Sequence, residues 1–115
     1  MRPISVGNNL TAATATTLYT VPTGYYAKCV LLHASNNGSS NKHISFTWYD
    51  ASAGASILIT FEYTLTAKST YAEIDVNQYM ILEEGDYITA TSETGSTISV
   101  IGTFEQIGLT RTWPT

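Results

Sequence analysis

Apolar side chains return at every second position through most of this chain, a period that fits strands and not helices. In His43–Ala51 the even positions Ile44, Phe46 and Trp48 are apolar, while Ser45 and Thr47 alternate with them. In Ser56–Thr66 the odd positions Ile57, Ile59, Phe61, Tyr63 and Leu65 form one face, and Thr60, Glu62, Thr64 and Thr66 form the other. Thr70–Val76 sets Ala72, Ile74 and Val76 against Glu73 and Asp75, and Asp86–Ser92 and Thr97–Ile107 complete the series. Each segment predicts a strand with one face in a core and one in water. No stretch repeats at helical spacing for long.

The separators agree. Pro22-Thr23-Gly24 reads as a turn between Thr17–Thr20 and Tyr25–Ser35, and Asn36–Asn41 as a loop of Asn, Gly and Ser. Ala53-Gly54-Ala55 and Glu83-Glu84-Gly85 mark two further turns, and Thr94-Gly95-Ser96 predicts a tight hairpin. About eight short strands, roughly eight to twelve residues apart, predict an all-β fold: an antiparallel two-sheet β-sandwich, jelly-roll or immunoglobulin-like. The absence of crossover helices rules out a parallel α/β sheet. At 115 residues, one domain over 1–115 is expected. Thr and Ser supply 30 residues, which suits the watered faces of strands.

Two segments depart from simple alternation. Tyr25–Ser35 is apolar on both sides, with Tyr26, Val30 and Leu32 against Ala27, Cys29 and Leu31. It reads as a central strand covered on both faces, or as one that meets a neighbouring subunit. Near the end, Ile101 faces away from Ile98 and Val100, and a bulge at Gly102 is expected to return Phe104 to the core.

A search for chemistry finds little. With a formal charge of −4 there is no general attraction to nucleic acid phosphates. Cys29 is the single cysteine, so neither an internal disulfide nor a thiolate zinc cage can form, and a small buried side chain is its expected role. The start MRPISVGNN lacks a signal-peptide apolar core, and no run approaches the roughly 18 apolar residues of a membrane helix. An activated Ser needs a positioned base, and only His33 and His43 are present. They flank the Asn36–Asn41 loop as neighbours across a hairpin, in structural or surface roles. No GxSxG elbow, P-loop or HExxH occurs. Glu73, Asp75, Glu83, Glu84 and Asp86 lack EF-hand spacing and read as solvated acidic groups. No catalytic residue, metal ligand or cofactor is assigned.

Aromatic residues are the better lead. Phe46, Trp48, Phe61 and Phe104 fall on inward faces and predict core, whereas Tyr49 and Tyr71 point outward by the same alternation. Exposed Tyr and Trp suit sugar stacking or a protein interface, since each joins apolar area to a polar handle. Trp113 lies in the tail Arg111-Thr112-Trp113-Pro114-Thr115, which is either an arm docked on a partner or a segment packed on its own domain.

Three motifs in order complete the picture. Leu18-Tyr19-Thr20-Val21-Pro22-Thr23-Gly24 resembles the "LYTVPxG" opening of small β-sandwich virion proteins of tailed bacteriophages. Leu82-Glu83-Glu84-Gly85-Asp86-Tyr87-Ile88 is similar to their "LxxGDxI" turn, and Val100–Glu105 to their closing "VxGxxE" strand. The resemblance spans Thr17 to Ile107 and carries no catalytic residues. It implies a particle component: a capsid decoration (cement) protein first, a tail, fibre or head-fibre part second. A decoration protein would sit on the virion exterior after assembly in the host cytoplasm. Its partners would be the major capsid protein and copies of itself, a homotrimer being the natural arrangement. Shell or subunit contacts are expected from docking arms at residues 1–9 and 111–115, with Arg2, Ile4, Val6, Arg111, Trp113 and Pro114. The alternative from another class is a carbohydrate-binding module using Tyr49, Tyr71 or Trp113 to bind host surface glycans. Neither nucleic acid nor a membrane is an expected partner.

Overall fold

A computed structural model describes residues 2–109, and they hold nine strands and no helix. In chain order these are β1 (Arg2–Leu10), β2 (Thr16–Thr20), β3 (Tyr25–Asn36), β4 (Lys42–Asp50), β5 (Ala55–Leu65), β6 (Thr70–Ile74), β7 (Met80–Leu82), β8 (Tyr87–Thr91) and β9 (Ile98–Gly108). Every pair is antiparallel.

The pairing has one logic. β1 pairs β9, β2 pairs β8, β3 pairs β7 and β6, and β4 pairs β5. These are the rungs of one long hairpin whose tip is the β4–β5 turn. Rolling it up sends successive rungs alternately to two sheets, ordered β1-β9-β3-β6 (with β7 also on β3) and β2-β8-β4-β5. That is a jelly roll, the first of the two topologies left open by the sequence. Thr94-Gly95-Ser96 is therefore not a hairpin but a corner, because β8 and β9 belong to different sheets.

Between the sheets lie Phe46, Phe104, Leu32, Ile44, Leu82, Ile88, Ile98, Val21 and Val100, all essentially without solvent contact. Each large side chain of this kind contributes about 1.5–3 kcal/mol by leaving water. Tyr19 stacks on Phe104 with ring centroids 4.4 Å apart and extends the core toward the β2 edge.

The irregularities are not where alternation suggests. β3 is apolar on both sides because its register slips between Cys29 and Leu31. Ala27 and Cys29 face inward before the slip, and Leu32, Ala34 and Asn36 after it, so one strand shows two parities. β9 has no bulge at Gly102. Ile98, Val100, Gly102 and Phe104 all face inward in one unbroken alternation. Glycine is needed at position 102 because a Cβ there would lie 2.9 Å from the Phe104 ring.

The N-terminal segment is the largest correction. Residues 2–10 do not form an arm. They are an edge strand laid along β9 for nine consecutive pairs, from Arg2 opposite Gln106 to Leu10 opposite Ile98. Pro3, Gly7 and two Asn weaken local strand preference, but the exposed β9 ladder supplies partners that local sequence cannot announce.

Candidate functional site

The buried polar side chains hold the corners of the roll. Oδ1 of Asp86 accepts the Ala51 N–H at 2.9 Å, while Oδ2 accepts the Trp48 indole N–H at 3.2 Å and the Glu83 N–H at 2.9 Å. The turn before Asp86 uses Gly85 at a φ of +85°. Asp50, Glu83 and Asp86 place carboxylate oxygens within 4.8 Å of one another, but the three N–H donors already occupy the Asp86 carboxylate. Asn36 donates to the Ser40 and Leu65 carbonyls and accepts from Gly38 N–H and the Thr97 hydroxyl. Ser92 donates to the His43 carbonyl, and its oxygen and that of Ser96 lie 2.7 Å apart. These groups tie loops to strands across the sandwich.

His33 and His43 are not neighbours, since β3 and β4 lie in different sheets. His43 Nε2 sits 2.8 Å from Glu93 Oε2, and Lys42 Nζ 3.5 Å from the other oxygen of that carboxylate. Cys29 is buried as expected. Burial pushes its thiol up to about 12, against a weak opposing hydrogen bond to the Leu31 carbonyl.

The residues proposed for contact behave differently from one another. Arg2 is exposed at the start of β1, while Ile4 and Val6 are half-buried and Val6 packs against the core. Arg111, Trp113 and Pro114 lie outside the described residues. Tyr49 is on the outer face of the four-stranded sheet, its ring stacked on Tyr87 at 4.7 Å. Tyr71 does not point outward. It stacks on Tyr63 at 4.1 Å in the seam between β5 and β6, packs against the core and donates its hydroxyl to Glu73. Glu73 also accepts from Thr60, so it is no solvated outer-face carboxylate. Burial raises the Tyr71 hydroxyl above its ordinary value, and the neighbouring Glu73 charge adds to this.

Two surfaces escape a reading by alternation. On β5 the register shifts on both sides of Phe46, and Glu62 takes a left-handed φ of 47° with its N–H on Ser45 Oγ. The extra residues turn Phe61 out of the core, leaving it 67% exposed beside Leu58 at 58%. Phe61 and Leu58 rim a groove of about 380 Å³, with Ser45, Thr47 and Thr91 among its lining. The second surface belongs to the five-stranded sheet. Val76 is 78% exposed in the β6–β7 turn rather than in a strand, with Tyr79 at 61% and with Ile81 and Ile101 half-exposed. Lys28 Nζ stands 4.7 Å above the Tyr79 ring.

No family model matches this chain, and no curated protein does. Among solved structures it is similar to a protein of the Bacillus endospore appendages, which form disulfide-linked pili, with a TM-score of 0.55 at 13% identity over 95% of this chain and 87% of that one. It is also similar to the nucleoplasmin-like N-terminal domain of Drosophila FKBP39, with a TM-score of 0.53 at 11% identity and 94% of each chain covered. These likenesses show the fold. A pentameric capsid protein from metagenomic phage sequences matches less well, at a TM-score of 0.47 and 16% identity, over 90% of this chain and 63% of that one.

Proposed function

We propose that this chain is a non-enzymatic structural protein of a phage particle, and specifically a decoration protein that bridges capsomers. The observation that carries the reading is the make-up of the five-stranded sheet. Its outer side presents Tyr79, Ile81 and Ile101, and the Arg2–Gln106 pairing places the start of β1 beside the end of β9. Exposed apolar side chains on the sheet that also carries the start of β1 and the end of β9 support a docking face there, while the polar groups within the roll are engaged in holding its corners. The ordered motifs from Thr17 to Ile107 supply the kind of particle.

The mechanism follows from multivalency. Each contact of a small sandwich is modest, but subunits joined to one another and to adjacent capsomers hold through effective concentration. A homotrimer at local three-fold positions satisfies this, with residues 111–115 among the proposed shell contacts. The pili-forming neighbour is disulfide-linked, whereas Cys29 here is buried, so cohesion would be non-covalent.

Add-back to particles lacking the chain tests this. The intact protein should co-sediment saturably with them, and a chain lacking Arg111–Thr115 should bind more weakly at nearly the same melting temperature. Undiminished binding by the truncated chain would remove the tail from the docking face, and no binding by the intact chain would sink the decoration reading.

A further inference from the structure

The groove on the opposite sheet has a composition that a shell contact does not need. It lies on the outer face of β4, β5 and β8, away from Tyr79 and Ile81. Its apolar wall is Leu58 and the exposed ring of Phe61; Ser45, Thr47 and Thr91 bring hydroxyls, and Glu62 and Glu93 bring carboxylates. Thr47 and Thr91 are half-buried on the outer faces of β4 and β8 and line the groove. A volume of about 380 Å³ falls within the ~300–1,000 Å³ of small-molecule sites.

From this we infer that the groove binds a neutral saccharide ring, making the outward sheet a glycan-holding face. A pyranose has one face of C–H bonds that lies against an aromatic ring, and an edge of hydroxyls that both donate and accept. The groove offers the same division: Phe61 and Leu58 on one side, rotating hydroxyls that also donate and accept on the other. Carboxylates add strong acceptors for sugar hydroxyls. Charge selects among ligands. Glu93 is already paired with Lys42 and held by His43 Nε2, but Glu62 is exposed and unpaired among the described residues, which repels uronates, sialates and phosphates. A peptide strand is disfavoured, because the two register shifts in β5 interrupt the regular edge ladder that strand addition requires.

The site differs from the Tyr49, Tyr71 or Trp113 platform expected from sequence: one face of each of these two tyrosine rings is stacked on another tyrosine, and Trp113 lies outside the described residues. It also stands apart from the shell contact, so either can fail alone. The test is NMR titration of the full ¹⁵N-labelled chain with glucose, galactose and N-acetylglucosamine, with glucuronate as the charged counterpart. At least one neutral sugar should shift the Ser45, Thr47 and Thr91 amides saturably, and glucuronate should not. Phe61→Ala should weaken that binding about tenfold or more, and its exposure means the remaining spectrum should be preserved. Thr91→Val serves as the second variant and should weaken binding without removing the apolar wall. No saturable shift with any neutral sugar, equal shifts with glucuronate, or unchanged affinity in both variants would overturn the proposal.

Discussion

The indole N–H of Trp48 is held at 3.2 Å by Oδ2 of Asp86, a fully buried carboxylate. That bond joins the inner face of β4 to the turn leading into β8, and the same carboxylate takes two backbone N–H groups. Removing it leaves three buried or half-buried donors without an acceptor. Asp86→Ala should therefore destabilise the fold by at least about 3 kcal/mol in urea unfolding, since three donors are orphaned and each costs about 1–3 kcal/mol. Asp86→Asn should cost less, because one acceptor oxygen remains. An Ala variant as stable as the parent would show that the corner does not depend on this carboxylate.

Deleting residues 2–9 separates a strand from an arm. β1 covers the β9 edge and partly buries Ile4 and Val6. Its loss should cost roughly 2–4 kcal/mol, from two half-buried apolar side chains at about 1 kcal/mol each plus the broken ladder. Thermal unfolding followed by circular dichroism reads this directly. An unchanged melting temperature would restore the docking-arm reading of this segment.

Alkaline pH should weaken the fold in a defined window. Burial lifts the Cys29 thiol from an ordinary 9.0 to about 12, and raises the Tyr19 and Tyr71 hydroxyls above their ordinary 10.0. Each raised group favours the folded state fully below its unfolded value, and that contribution is lost as pH climbs above it. The melting temperature should hold to about pH 9 and fall beyond it, less steeply in Cys29→Ala. At neutral pH a thiol reagent should label Cys29 only after unfolding. Rapid labelling of the folded chain would contradict its burial.

Much of the roll was legible in the sequence, and the reasons it was not entirely so are local. Ile44 and Phe46, like Ile88 and Ala90, alternate without interruption, and their strands stand where the pattern predicts. Phe61 reads as core because Ile57 to Leu65 keep one parity in sequence, while the register shifts in β5 break it in space. Glu62 gives no warning of this, since a left-handed φ is unusual for it. The slip in β3 has the opposite effect, since it makes a one-faced strand look two-faced. β1 has no local signature because its pairing comes from a strand about a hundred residues away. The groove was hidden for the same reason as Phe61, as its wall of Leu58 and Phe61 is exposed by the register shifts in β5.

Quantitative peptide mass spectrometry on purified particles from the source tests the central claim most directly. The decoration reading expects this chain at an abundance comparable with the major shell protein. A handful of copies would instead place it in the tail or fibre apparatus, and its absence from particles would contradict the structural role altogether.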